Sequence, residues 1–530
     1  MKKTLLAAVA AVALVWSAGP AADAATPDDT LVMAAQIDDI ISLDPAEIFE
    51  FSGAEYGAQV YDRLVTYDVN NVSDIQPMVA ESWEVSDDGK TFTFRIREGI
   101  TFHSGNPLTA HDAAYSLQRA VKLDLSPAFI LTQFGFTKDN VDQMITAPDD
   151  RTLVLQIDQP YAPTFVLYCL TAGVASIVDS KLLQEHEVDG DMGHAWLKNN
   201  SAGSGPFMLQ QWRPSEALSY TAFKDYWRGA PGLDRVFVRH VPEAATQRLL
   251  LEQGDVDVAR DLLADQLNEL RNVDGIVIDE APKGTLWYLG LNVKREPFQN
   301  EKVRQALKYL VDYEGMVNTI LAGQFKVHQS FIPEGVLGEI DDEPYTFDVE
   351  KAKQLLAEAG YPDGFSITMD ARNNSPTIDM AQAIQGTFAQ GGINLEIIPG
   401  DGGQTLTKYR ARNHDIYIGQ WGMDYQDPHT NADTFAANPD NADDAAAKPL
   451  AWRNAWDIPE MTERVRAAVL ERDAAKRARL YEELQREHME ISPFVIMFQE
   501  IEVVARSADV EGLIWGPSFD SNFYWKATKN

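Results

Sequence analysis

Cysteine is nearly missing from this chain: Cys169 stands alone among 530 residues. No internal disulfide can form, so a protein of this size has to rest on its apolar cores. The neighbours Phe165, Val166, Leu167 and Leu170 predict that the one thiol is buried and inert, not a nucleophile. Positive charge is also scarce. Lys and Arg number 45 against 80 Asp and Glu, a formal net charge of −35. Such a field repels nucleic acid and anionic membrane surfaces, so neither is expected as a partner. Apolar runs are short everywhere except near the start, where Thr4 to Trp16 follows Lys2 and Lys3 and precedes Ala22-Asp-Ala24. A basic start, an apolar run too short to span a bilayer and a small-x-small site predict an export signal over 1–24, cut after Ala24. Its removal takes away Lys2, Lys3 and Asp23 and shifts the net charge to −36. No cysteine stands at that site to carry a lipid. A soluble exported protein, residing in the periplasm, is the expectation.

Catalytic signatures are missing as well. The sequence holds no H-E-x-x-H, no phosphate-binding P-loop and no G-x-G-x-x-G. Gly203-Ser-Gly205 is too short for a nucleophile elbow, which needs G-x-S-x-G. Carboxylate pairs at glycosidase spacing arise by chance among 80 acids and carry no weight. The densest group of metal-type ligands is His186, Asp189, Asp191 and His194, whose spacing matches no common zinc or calcium loop. It reads as a solvated loop. No enzyme, no metal site and no cofactor are expected.

What is present is a long alternation of strand and helix patterns, and a length that calls for two or three substructures. Trp83 and Val85, then Phe92, Phe94 and Ile96, alternate on either side of Ser86-Asp-Asp-Gly-Lys90 and predict a hairpin. Thr109 opens a helix with a capping box to Asp112, and a second hairpin is expected around Asp149-Asp150. Thr285–Val293 reads as an apolar strand. After it come a helix capped by Asp348, strands at 367–369 and 395–398 with a helix between them, and one long helix from Met461 to Glu490. This order suggests an α/β unit with a largely parallel sheet. Strands near 290 and 500 are placed to connect two lobes as hinges.

Candidate binding residues gather at strand ends. In Ile418–Pro428, Gly419 and Gly422 permit close backbone approach, Trp421 offers a flat apolar face and Asp424 a carboxylate. Asp427 with Pro428 reads as turn. Trp287 and Tyr288 on the hinge-like strand are candidates to stack on a ligand. Arg372, directly after the 367–369 strand, is a candidate clamp for a carboxylate.

Three blocks then align with a known pattern: Tyr61-Asp-Arg-Leu-Val65, Pro77 through Arg97, and Gly99-Ile-Thr-Phe-His-Ser-Gly-Asn-Pro-Leu-Thr-Ala110. Together with Tyr226-Trp-Arg-Gly-Ala-Pro231, Gly254-Asp-Val-Asp257 and Lys351 through Gly364, they resemble the family 5 extracellular solute-binding proteins. These are the peptide, oligopeptide and nickel binding components of ABC importers. The resemblance implies a two-lobe type II periplasmic-binding fold of class α/β, with an extra subdomain in the first lobe and two hinge strands. It implies lobe I from 25–60, 200–290 and 501–530, the subdomain from 61–199 and lobe II from 291–500. It also implies a monomer that passes a short peptide to a membrane permease and its ATPase subunits. Trp421-Gly-Met-Asp424 is similar to the W-x-x-D stretch whose Asp holds a peptide ammonium. Arg372 with Pro376 is similar to the pair that meets a peptide carboxylate. Other ligands of the same fold (an opine, a sugar, a metal chelate) stay open as alternatives, and a secreted hydrolase is the rival from another class.

Overall fold

The computed structural model describes residues 26–445 and 447–530; the expected export signal over 1–24 lies outside them. One eleven-stranded mixed sheet runs through the molecule. From one edge its strands are Asn394–Gly400, Ser366–Arg372, Ile416–Trp421, Ile276–Leu291, Phe494–Ser507, Val258–Ala259, Thr30–Ala35, Arg235–His240, Ala217–Ala222 and Phe207–Arg213, with Phe325–Val327 added alongside Phe494–Ser507. Two long antiparallel strands, Ile276–Leu291 and Phe494–Ser507, form its middle.

Their ladder is broken. Residues 276–282 pair with 501–507, residues 286–290 with 494–499, and the register shifts between Pro282 and Leu286. The cores divide at the same point. On one side Leu31, Met33, Tyr56, Phe207, Val236 and Val504 pack together. On the other, Leu289, Leu307, Met369, Ile384, Ile418 and Phe498 do so. A sheet continuous in hydrogen bonds thus serves separate hydrophobic cores on either side of the break, which is the two-lobe α/β architecture. The strand predicted from Thr285 begins nine residues earlier, because Asp279, Glu280 and Lys283 interrupt the apolar pattern while the backbone pairing continues.

The expected hairpins form a separate antiparallel sheet, Ala80–Val85, Thr91–Ile96, Thr152–Gln156 and Ile145–Asp149. Its inward residues Phe92, Phe94, Ile96, Leu153 and Leu155 are almost fully buried. The helix Ala110–Leu123 covers it, and the capping box is formed: Asp112 accepts from the Thr109 backbone N–H at 2.9 Å and from its hydroxyl at 2.8 Å. Cys169 is buried in this same core, and burial pushes its thiol well above the ordinary value. Tyr425 and Val469, from the far side of the hinge, also pack into it. Phe165 meets the His429 ring at 5.1 Å, and the Ala162 N–H donates to the Val469 carbonyl at 3.2 Å. The subdomain therefore touches the second lobe directly.

The long helix expected from Met461 to Glu490 is two helices, Pro459–Leu470 and Ala474–Ile491. Asp473 ends the run by capping the second, accepting from the Lys476 N–H at 2.9 Å. The break lets Arg477 turn inward. It is 1% exposed and donates to both oxygens of the fully buried Asp427, at 2.7 and 2.6 Å. Asp427 in turn caps Pro428–Phe435, accepting from the His429 N–H at 2.9 Å. Burying two charges is tolerable only because each satisfies the other bidentately. Arg477→Ala leaves Asp427 buried and unpaired and should destabilise the protein by about 3–5 kcal/mol. Guanidinium unfolding of the variant and the parent checks this.

Candidate functional site

Two adjoining cavities open along the sheet where the lobes meet. The first, of about 250 Å³, lies between Ile48, Phe51 and Phe519 on one side and Trp421, Gly422 and Asp424 on the other, with Pro127 and Ile130 of the subdomain over it. The second, of about 500 Å³, is bounded by Trp287, Arg372, Gly419 and Glu500 among others. Gln420 and Phe519 line both, so the two adjoin there and together make up the interlobe groove.

The strand Ile416–Trp421 pairs with the hinge strand through Leu286↔Trp421 and Leu291↔Ile416. This carries the following loop out at the cleft. Gly422 lets the loop pass close to the facing lobe: a Cβ there would come 3.1 Å from the Phe51 ring, which would have to shift slightly. Asp424 is partly buried and receives a hydrogen bond from the Thr430 hydroxyl at 3.1 Å. Loss of water around it raises its carboxyl to about 7, although Thr430 and the positive charge of Arg453 oppose the shift. Among the described residues no Lys or Arg forms an ion pair with it, in contrast to Asp427 three residues on. A carboxylate in an apolar recess without its own counter-ion is arranged to accept a cation from outside. Trp421 forms part of the same wall, and its indole N–H has no acceptor.

Arg372 ends the strand Ser366–Arg372 and is exposed at the rim of the second cavity. Its guanidinium lies over Gly402, against the position a Cβ would take. It forms no ion pair among the described residues.

Trp287 and Tyr288 cannot serve one cleft, since neighbouring strand residues point to opposite faces. Trp287 borders the second cavity. Tyr288 is corrected to a core residue: it is 1% exposed, packs edge-on against Phe435 and Phe494 at 5.4 and 5.7 Å, and its hydroxyl donates to that of Tyr409 at 3.4 Å.

Both histidines of 186–194 are engaged elsewhere, and Asp191 accepts from backbone N–H groups of its own loop. The His186 ring stacks on Trp196 at 4.2 Å; His194 Nδ1 lies 2.8 Å from Asp44, whose carboxylate holds the buried Arg119. Among the described residues no group of three or more His, Cys, Asp or Glu is placed to hold a metal ion.

Reading by motif missed Phe51, Phe519 and Glu500. The two phenylalanines come from segments 468 positions apart in sequence that stack at 4.5 Å, and no local pattern announces that. Glu500 had a signal: Gln499-Glu-Ile-Glu502 interrupts an otherwise apolar strand, and acids inside a central strand need a reason.

The family model for bacterial extracellular solute-binding proteins, family 5 (middle), matches residues 74–443. The chain is 31% identical over 509 residues to the probable D,D-dipeptide-binding periplasmic protein DdpA of Escherichia coli K12, covering 95% of each. It is 27% identical over 511 residues to heme-binding protein A of Haemophilus influenzae, covering 91% of this chain and 90% of that one. Its fold is similar to that of the Helicobacter pylori periplasmic binding protein DppA, solved in complex with the peptide STSA, with a TM-score of 0.78 and 25% identity over 94% of this chain and 98% of that one. The matched stretch takes in both the four-stranded subdomain and the Asp424 loop, and the chain belongs to the family 5 bacterial extracellular solute-binding proteins.

Proposed function

We propose that this protein captures short peptides between its lobes and delivers them to a membrane ABC permease with its ATPase subunits. The observation that carries the reading is Asp424, a carboxylate without a counter-ion facing an apolar cavity. A peptide's α-ammonium supplies the missing charge, and an ammonium taken out of water needs such a partner. Arg372, at the other end of the groove, meets the carboxylate. The relative named as a probable D,D-dipeptide-binding protein and the neighbour solved with a peptide support this choice over a non-peptide solute.

Lobe I is assigned to residues 25–60, 200–290 and 501–530, the subdomain to 61–199 and lobe II to 291–500. The register break supports a hinge at 283–285 and 499–501, slightly before the first of these boundaries. Peptide contacts to both lobes then favour the closed arrangement by differential binding. The chain acts as a monomer and without catalysis, free in the periplasm once the signal over 1–24 is removed after Ala24.

Three outcomes are expected. First, Asp424→Asn should lower peptide affinity about tenfold or more, and N-acetylated peptides should lose a similar factor on the parent protein. Calorimetry showing no change in either would remove the anchor. Second, the carboxyl titrates near 7, so affinity should fall about tenfold for each pH unit below 7. It should fall again above about 8, where the peptide amine loses its proton. The same shift has the opposite sign for stability. The folded state holds this proton more tightly than the unfolded one, so ligand-free stability is lost as pH rises from the unfolded carboxyl value towards 7. Ligand-free Asp424→Asn should therefore melt higher than the parent at pH 8, by scanning calorimetry. Third, C-terminally amidated peptides should bind several-fold more weakly than free acids, and Arg372→Ala should erase that difference.

A further inference from the structure

The second cavity holds an imbalance that the peptide ends do not use. Arg260 pairs with Glu55 at 2.6 Å and with Glu502, and Lys283 pairs with Glu502 at 2.6 Å. Both buried cations are thus consumed. Asp261, on the same wall, accepts from the Gln36 N–H at 2.7 Å and the Gln247 amide at 3.0 Å. Glu500 has no such partner: among the described residues no Lys, Arg or His reaches it within ion-pair distance. It shares a strand face with Glu502 two residues on. Desolvation and the Glu502 charge raise its carboxyl to about 7, although the Lys283 charge and the Trp287 indole N–H oppose the rise.

A second observation on that wall points the same way. Trp287 is 6% exposed and borders the cavity, and its indole N–H is directed at the Glu500 carboxyl without completing a hydrogen bond of good geometry. Among the described residues, a neutral donor and the charge of Lys283, already paired with Glu502, are all that the surrounding side chains offer Glu500. Leu263 and Ile320, exposed by 42% and 41%, line the same space and give an aliphatic stem a surface to lie on.

We infer that Glu500 is a second anionic anchor, selecting peptides whose residue in the second cavity carries an ammonium or guanidinium side chain. The inference rests on the peptide reading above. With the α-ammonium at Asp424 and the groove running past Gln420 and Phe519, the residue that reaches Glu500 is the C-terminal one, beside Arg372. Its side-chain cation completes Glu500, and its stem packs on Leu263 and Ile320. A neutral side chain leaves Glu500 without its partner.

Calorimetry at pH 8 compares Ala-Lys with Ala-norleucine, and Ala-Ala-Lys with Ala-Ala-norleucine, whose side chain keeps the stem and lacks the charge. At one length or both, the lysine form should bind the parent protein about tenfold tighter. In Glu500→Gln, that ratio should fall to within about twofold of unity. Equal binding of both forms by the parent overturns the anchor while leaving the peptide reading intact, and needs no variant. A lysine preference that survives Glu500→Gln in a variant with parental circular dichroism overturns it as well. If none of the four peptides binds, the peptide reading fails and the anchor falls with it.

Discussion

A buried ionic cluster sits where the two central strands pass from one lobe to the other, and the site is arranged around it. Lys283, 1% exposed, donates to the Gly516 carbonyl at 2.6 Å and the Asn522 side chain at 3.0 Å, and pairs with Glu502. Glu502 also holds Arg260, which reaches Glu55 on the helix Phe51–Val60. Every charge in the cluster has its opposite, as burial demands, and the two cations hold the Glu502 carboxyl well below its ordinary value. The cluster ties together both hinge strands, the first-lobe helix and the segment 516–522. That segment carries Phe519, whose ring lies 4.9 Å from the Lys283 ammonium and lines both cavities. The hinge and the floor of the cleft are thus held by one set of contacts.

Against this compensated centre, the cleft is left electrically incomplete. Asp424 and Asp427 make the contrast within four residues. Asp427 faces inward, spends both oxygens on Arg477 and caps a helix. Asp424 faces the cavity with one hydroxyl for company. The first is compensated within the fold, and the second costs stability until a ligand arrives. Strained or unsatisfied groups tolerated in an otherwise consistent fold are where function is expected.

Much of this was legible along the chain. Alternating apolar residues gave away the subdomain hairpins, because a strand with one wet face must alternate. Thr109 with Asp112, and Asp348, announced helix starts because orphan N–H groups need acceptors. Gly422 and Asp424 stood out as a turn bearing a charge. Other features were hidden for physical reasons. The hinge strand was read too short, since its polar half is held by backbone pairing, which leaves no side-chain signature. The helix break at Asp473 lay inside a pattern that stays amphipathic across it. Tyr288 looked like a cleft aromatic only while its face of the sheet was unknown.

By itself, then, the sequence determined the element types, the compensating caps, the two-lobe family and the acidic, cysteine-poor character of the protein, all of which are read from composition or from short stretches of residues in order. Only the tertiary structure decided which charges are spent. Arg477 lies 50 residues from Asp427, Glu55 lies 205 from Arg260, and Phe51 meets Phe519 across nearly the whole chain. Whether a carboxylate is consumed or left waiting depends on which distant side chain the fold brings within 3 Å of it. Coulomb and desolvation energies act through space, and sequence order does not carry that distance.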